Sequence, residues 1–392
     1  MHVYFSVGEP SGDAHAAKLI DEIRRRDPQA RFSGYGGPRM ADAGCELQFE
    51  LTQMAVMGIA AVLPLLLKFY RLVKQAEQYL IRERPDAVVL VDFPGFNWWI
   101  ARKAKRLGIP VFYYMPPQLW AWASWRIRRV RRFVDYVLSP LQFETRWYRD
   151  RGVDAQFVGH PFFDEVAEHQ LDPQFMSAQR EQPGAVIGVL PGSRNQEVLR
   201  NWPIQLATIR RVHDRCPETR FLVACYNQRH LDWCRSILTA EGTDLPVELC
   251  VHRTPEIIAA ADACLIVSGS VSLEVLARHT PAVVLYACSR PLYLFGRMFV
   301  RCAYFTLANL IAGREVMPEF PVVGDPSADI ERMAGILESW LMHPALRQQV
   351  STELAALAAS AAQPGSTARA ADAILSRLAA AQASPESERR AA

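Results

Sequence analysis

The chain has 392 residues, half of them hydrophobic and 22% charged, with a net charge of +3. That length favours two domains over one core, and the composition excludes a disordered or collagen-like chain. Residues 1–150 carry 22 Lys and Arg against 15 Asp and Glu, while the rest carries 22 against 26, so the front portion is suited to an anionic partner such as a phosphate, an acidic membrane or nucleic acid.

The first residues, Val3–Val7, read as a buried strand and not as a signal segment with a basic start and a cleavage site. The strand runs into Gly8-Glu9-Pro10-Ser11-Gly12-Asp13, and a helical pattern follows over Ala14–Arg26. Two glycines let the backbone approach a ligand, and Ser11 or Asp13 can cap the helix. The helix N-terminus favours anionic or hydroxyl-rich ligands. A plain βα turn carries the same residues, so the segment alone leaves both readings open.

Further strands are expected at Arg31–Tyr35, Ala87–Asp92, Val111–Tyr114, Tyr136–Leu138 and Gln156–Val158. Between them, Met54–Leu67 is fourteen residues without a charge, followed by Lys68, Arg71 and Lys74. It is too short to span a bilayer. A membrane-interface segment and a buried helix both fit it. Val91-Asp92-Phe-Pro-Gly-Phe-Asn97 ends an apolar strand, which makes Asp92 either a candidate general base or the cap of a helix over Trp98–Leu107. Leu119–Arg132 holds three tryptophans and five arginines. That pattern fits RNA, anionic lipid, a phosphorylated acceptor or a solvated helix face.

From about Gly159 to Pro183 the pattern lapses into a polar stretch with three prolines, read as the linker. The second half restarts at Ala185–Leu190 and continues through Arg220–Cys225, Val247–Val251, Asp262–Val267 and Pro281–Tyr286. Strands alternating with helices predict an α/β protein of two Rossmann-like, doubly wound domains facing across a cleft. Domain boundaries are set at 1–165 and 184–350. Helices over 351–382 are expected to pack back on the first domain, ahead of a tail at 383–392.

In the second half, Pro191-Gly192-Ser193-Arg194 follows a strand directly and reads as a diphosphate cradle, with Arg194 offering a fork for phosphate oxygens, or as an exposed turn with an incidental arginine. Ser268-Gly-Ser-Val-Ser-Leu-Glu274 crowds hydroxyls at another strand end. Its Glu274 can accept both ribose hydroxyls or complete a capping arrangement. Asn309 and Glu315 sit in a late cluster that is uninformative alone. The eight cysteines form no C-x-x-C pair, so reduced thiols and no zinc site are expected. No D-x-D pair is present to hold Mg²⁺ against a diphosphate.

Together these segments resemble the lipid-A-disaccharide synthases, bacterial GT-B-type glycosyltransferases. The matching stretches, in family order, are GEPSGD (Gly8–Asp13), YGGPRM (Tyr35–Met40), AVMGI (Ala55–Ile59), VDFPGFN (Val91–Asn97), LWAW (Leu119–Trp122), FVGHP (Phe157–Pro161), LPGSR (Leu190–Arg194), SGSVSLE (Ser268–Glu274) and NLIAGRE (Asn309–Glu315). The resemblance implies an inverting transfer from UDP-2,3-diacylglucosamine to 2,3-diacylglucosamine 1-phosphate, giving a β(1→6) disaccharide 1-phosphate and UDP.

It also implies roles. Asp92 is the base and Glu9 its support, with Gly8, Ser11, Gly12 and Asp13 forming the acceptor loop. Ser193, Arg194, Ser268, Ser270, Glu274, Asn309 and Glu315 hold the UDP donor. The family often has Asp where this chain has Gly95, which leaves no second carboxylate there, and a small residue where it has Pro10. No cofactor, metal or nucleic acid is implied. A cytoplasmic enzyme lying peripherally on the inner leaflet is expected, with Leu65, Leu66, Leu67, Lys68 and Arg71 facing the membrane; homo-oligomerisation is left open. The rival readings are a UDP-N-acetylglucosamine 2-epimerase on the same scaffold and a non-enzymatic lipid- or RNA-binding protein.

Overall fold

The computed structural model describes residues 1–54, 66–242 and 244–382. The chain divides into two compact units. One is Met1–Asp164 together with the chain from Pro364 onward, and the other is Glu165–Gln363.

The first unit is built on β1 (His2–Val7), β2 (Arg31–Gly36), β3 (Glu46–Glu50), β4 (Ala87–Val91), β5 (Val111–Tyr114), β6 (Tyr136–Ser139) and β7 (Ala155–Phe157). Their order in the sheet is β3-β2-β1-β4-β5-β6-β7, and all neighbours are parallel. A parallel sheet covered on both faces needs apolar side chains in both directions. In β1, Val3, Phe5 and Val7 pack on the helix Pro10–Arg26 through Leu19, Ile20 and Ile23. Tyr4 points the other way, into a cluster with Leu72, Leu80 and Ile100. Each fully buried aliphatic side chain of this kind contributes roughly 1.5–3 kcal/mol.

The second unit repeats the plan with β8 (Val186–Leu190), β9 (Arg220–Cys225), β10 (Val247–Val251), β11 (Ala263–Val267), β12 (Ala282–Ala287) and β13 (Glu319–Val322). The order is β10-β9-β8-β11-β12-β13, again with parallel neighbours. Its core gathers Ile187, Val189, Trp202, Leu206, Phe221, Leu265, Met333 and Trp340.

In each sheet the winding direction reverses once, between β1 and β4 and between β8 and β11. Open α/β sheets bind ligands in the crevice outside the carboxyl ends of the strands at such a reversal. The loops after β1 and β4 are Gly8–Glu9 and Asp92–Phe93. Those after β8 and β11 are Pro191–Arg194 and Ser268–Ser270. All four belong to the motifs singled out from the sequence.

Several boundaries differ from expectation. β3 and β13 were not anticipated: β3 is a charged edge strand, and β13 is an edge strand containing Pro321, which removes a ladder donor. The stretch read as a linker contains the helices Pro161–Glu168 and Pro173–Glu181. Their prolines sit at the first helical position, where the missing N–H has no partner to lose. At the far end, the helix Pro344–Ala361 belongs to the second unit. Only Ser366–Gln382 returns to the first unit, where it packs on Pro10–Arg26. The tail at 383–392 lies outside the described residues.

Candidate active site

In the first unit, the end of β4 is held in an uncommon backbone shape. Asp92 and Phe93 both have positive φ, 47° and 42°. Consecutive non-glycine residues in this region cost about 1–3 kcal/mol each and persist only where neighbours enforce them. Asn97 is the enforcer. Its fully buried amide donates to the carbonyls of Ser6 at 3.1 Å, Val91 at 3.2 Å and Asp92 at 2.8 Å, and its Oδ1 accepts the Ser6 hydroxyl at 2.6 Å. The Tyr113 hydroxyl also donates to the Asp92 carbonyl, at 2.8 Å. One amide thus ties β1 to β4 and fixes the Asp92 backbone. The helix begins at Pro94 with Phe93 as its cap residue, so the Asp92 side chain is not spent on capping.

The Asp92 carboxylate accepts no hydrogen bond among the described residues. Gly12 brings the first turn of Pro10–Arg26 against it. A methyl group on Gly12 would lie 3.1 Å from Asp92 Oδ2 and 3.1 Å from Val7 Cγ1. Burial, and then the negative charge of Glu9, push the Asp92 carboxyl up to about 7. A carboxylate tuned close to neutral pH and free of partners can accept a proton from a substrate hydroxyl. Glu9 itself is exposed and ends the loop as the cap residue of its helix. Because its charge raises the Asp92 value, Glu9→Gln should move the acid limb of the rate–pH profile to lower pH. An unmoved limb would remove Glu9 from this role.

Other expected loop residues are placed differently. Ser11 is exposed in the first helical turn. Asp13 does not cap its own helix. Its buried carboxylate accepts the backbone N–H groups of Gly37 at 2.9 Å, Arg39 at 3.0 Å and Met40 at 3.1 Å. It therefore caps the short helix Pro38–Asp42, and the GEPSGD and YGGPRM motifs are two halves of one construction.

Two further motifs are structural in the same sense. Trp120 of LWAW donates at 2.8 Å to Glu144, which also accepts the Ser139 hydroxyl at 2.6 Å. Burial pushes the Glu144 carboxyl up to about 7. Trp122 and Trp125 are exposed and flank the Arg126 guanidinium, 4.6 and 5.4 Å from the ring centres. His160 of FVGHP is buried, which pushes its imidazole down to about 3. Asp164 accepts five hydrogen bonds from Gly365, Ser366 and Thr367, at 2.6–3.1 Å. Burial alone would raise its carboxyl, but these donors hold it below the ordinary range.

In the helix Leu66–Glu83, Leu66 and Leu67 are 52% and 73% exposed. Lys68 and Arg71 are exposed beside them, with Lys68 5.0 Å from the Phe49 ring centre. Leu65 and the Ala55–Ile59 motif lie outside the described residues.

In the second unit, Gly192 has a φ of +119°, and a methyl group there would strike Glu197 Cβ at 2.8 Å. The glycine lets the chain turn tightly from β8 into the helix Asn195–Arg215. Glu197 reaches back to the Arg194 N–H at 3.2 Å and pairs with its guanidinium at 2.8 Å. Arg194 is otherwise exposed, as is Ser193. At the end of β11, Ser268 donates its hydroxyl to the Phe305 carbonyl at 3.0 Å, while Ser270 is exposed at the start of Val271–Ala277. Glu274 is buried and pairs with Arg278 at 3.1 Å, so it does not close a cap on Ser270. Burial leaves its carboxyl above the ordinary range despite Arg278.

Asn309 is fully buried and bonded on every side. It donates to the Met317 carbonyl and to Glu319, each at 2.8 Å, and accepts the N–H groups of Val316 and Met317 at 2.8 and 2.9 Å. Its partner Glu319 also takes the Phe305 and Thr306 N–H groups at 2.9 and 2.8 Å. The two residues brace the loop that reaches Ser268. Glu315 is exposed, and its carboxylate accepts the Glu319 N–H at 3.2 Å. Neither Asn97 nor Glu319 was singled out from the sequence. Asn97 closes the VDFPGFN motif, which was the available signal, whereas Glu319 falls outside every motif. Among the described residues, no group of three or more His, Cys, Asp or Glu side chains is placed to hold a metal ion.

The family model and the curated relatives agree on the family. The sequence model of the lipid-A-disaccharide synthetase family matches residues 3–354. The lipid-A-disaccharide synthase of Syntrophus aciditrophicus (strain SB) is 36% identical over 370 residues, covering 94% of this chain and 96% of its own. That of Myxococcus xanthus (strain DK1622) is 35% identical over 376 residues, covering 95% and 96%. Among solved structures, the UDP-GlcNAc 2-epimerase of Neisseria meningitidis bound to UDP-GlcNAc aligns with a TM-score of 0.60 at 12% identity, over 96% of this chain and 99% of that one. The glycotransferase of kitacinnamycin aligns with a TM-score of 0.59 at 17% identity, over 96% and 98%. At such identities these two establish the GT-B-type fold, with its pair of Rossmann-like units, and nothing more. The match along nearly the whole sequence carries the conclusion that this chain belongs to the lipid-A-disaccharide synthetase family.

Proposed function

We propose that the chain joins UDP-2,3-diacylglucosamine to 2,3-diacylglucosamine 1-phosphate, releasing UDP and forming the β(1→6)-linked disaccharide 1-phosphate. Family membership makes it a glycosyltransferase of lipid A biosynthesis; the substrates and the residue roles are our reading. The observation that carries this reading is the Asp92 carboxyl at the sheet reversal of the first unit, without a hydrogen-bond partner among the described residues and pushed up to about 7 by burial and Glu9. Asp92 takes the proton of the acceptor 6-hydroxyl. The oxygen attacks the anomeric carbon as the bond to the UDP oxygen breaks, so one displacement inverts the α-linked donor.

At the reversal of the second unit, Ser193, Arg194, Ser268 and Ser270 hold the diphosphate and Glu274 the ribose hydroxyls. Binding the donor requires Arg194 to exchange part of its contact with Glu197 for phosphate oxygens, for which its exposure leaves room. Arg194→Ala should weaken UDP binding about 10- to 100-fold by calorimetry, the range for losing a charge-assisted contact. An unchanged dissociation constant would refute the placement. The acylated substrates also call for a peripheral membrane position, to which Leu66, Leu67, Lys68 and Arg71 contribute. No described helix is long and apolar enough to cross a bilayer.

The epimerase alternative shares the fold. Incubation with UDP-N-acetylglucosamine, followed by proton NMR, should leave the sugar unchanged, and appearance of the 2-epimer would favour that alternative.

A further inference from the structure

The second unit carries a helix that its own core does not use. Arg290–Phe299 follows β12 through Cys288 and Ser289, and none of its residues is buried. Leu292, Leu294, Phe295, Met298, Phe299 and Val300 are 46, 63, 57, 74, 51 and 44% exposed. Burying such side chains is favourable, and contiguous apolar surface of this kind marks an interaction site. The Phe295 and Phe299 ring centres lie 4.6 Å apart with the rings tilted by 39°, and at helical spacing they share an apolar face with Leu292. Arg290 and Arg297, seven residues apart, fall on a neighbouring stripe, and Arg301 follows. No acidic residue occurs between Glu274 and Glu315.

The excursion is tied down at both ends. The Cys288 N–H donates to the Val322 carbonyl at 3.0 Å. On the return, Phe305 meets Ser268 and Glu319. The helix therefore rises from the same strand ends that carry the SGSVSLE loop.

We propose that Arg290–Phe299 docks on an anionic bilayer surface, with Leu292, Phe295, Met298 and Phe299 at acyl depth and the arginines at the lipid phosphates. Basic, aromatic-rich amphipathic helices bind membranes in this way. The choice of a bilayer as occupant rests on the acylated substrates proposed above and on the unbroken positive charge of the segment. The helix gives the donor-binding unit its own contact with the surface that holds the donor.

The test is sedimentation of the full-length protein with vesicles of phosphatidylethanolamine and phosphatidylglycerol, without donor or acceptor, so that it is read independently of transfer activity. The F295S/M298S/F299S variant should lose at least about tenfold in partitioning. R290Q/R297Q/R301Q should lose partitioning to these vesicles but not to neutral phosphatidylcholine vesicles. All six side chains are outside the core, and an unchanged circular-dichroism melt confirms folding. Unchanged partitioning of both variants would overturn the proposal. So would loss of binding only in a parallel L66S/L67S variant, which would leave the proposed transfer reaction intact. Loss of self-association in sedimentation velocity, with vesicle binding unchanged, would assign the helix to a second copy of the chain instead.

Discussion

Asp92→Asn lowers the transfer rate by about two orders of magnitude or more, the range for removing a positioned base, while UDP binds with unchanged affinity. The substitution keeps the size of the side chain and the backbone hydrogen bonds to Asn97 and Tyr113, which involve the Asp92 carbonyl and not its carboxylate. Only proton acceptance is lost. In the wild-type protein the rate should rise with pH along an acid limb near 7, where burial and Glu9 place the Asp92 carboxyl. Stability runs the opposite way. A carboxyl raised from 3.8 to about 7 in the folded state makes its full contribution below about pH 4, and loses it as pH rises through 7. The Asn variant lacks that loss, so its stability relative to wild type should increase between pH 4 and 8. Near-normal turnover in Asp92→Asn would remove the residue from its role.

Asn97→Leu combines the largest expected stability loss with a loss of rate. The leucine cannot satisfy the Ser6 hydroxyl or the carbonyls of Ser6, Val91 and Asp92, and stranded buried polar groups cost roughly 1–3 kcal/mol each. Partial relaxation makes a net loss of about 2–4 kcal/mol reasonable. That corresponds to a fall of roughly 5–15 °C in the melting transition of the first unit. Asp92 and Phe93 would also be released from their positive-φ geometry, so kcat should fall about tenfold or more even where the protein stays folded. UDP affinity, which the proposed donor site assigns to the second unit, should not change. A melt and a turnover both like wild type would show that the Asn97 network does not position Asp92.

The architecture was legible because parallel strands buried on both faces leave continuous apolar runs, and the four runs at the reversal points lead into Gly8, Asp92, Pro191-Gly192 and Ser268. Those runs placed all four reversal-point loops. What the sequence hid was pairing over distance. Asp13 looked like a cap for its own helix, but the N–H groups it serves belong to residues 37–40, and nothing local to either segment announces that match. Asn309, which the resemblance alone placed at the donor, is a buried brace whose amide answers a loop carbonyl and N–H groups at residues 316–317, a demand that nothing near residue 309 in the sequence announces. Prolines at 161 and 173 read as linker breakers, although at a first helical position they start helices. Edge strands were missed for a related reason: β3 is charged and β13 contains proline, features that protect an edge and erase the strand signal.

The central claim is transfer with inversion from a UDP-linked, diacylated glucosamine to a phosphorylated, diacylated acceptor. The measurement that tests it most directly is a product assay with both substrates defined, read by mass spectrometry and by NMR of the anomeric proton. The account predicts a β(1→6) disaccharide 1-phosphate formed in equal amount with UDP. UDP release without a disaccharide, or an α-linked product, would contradict it.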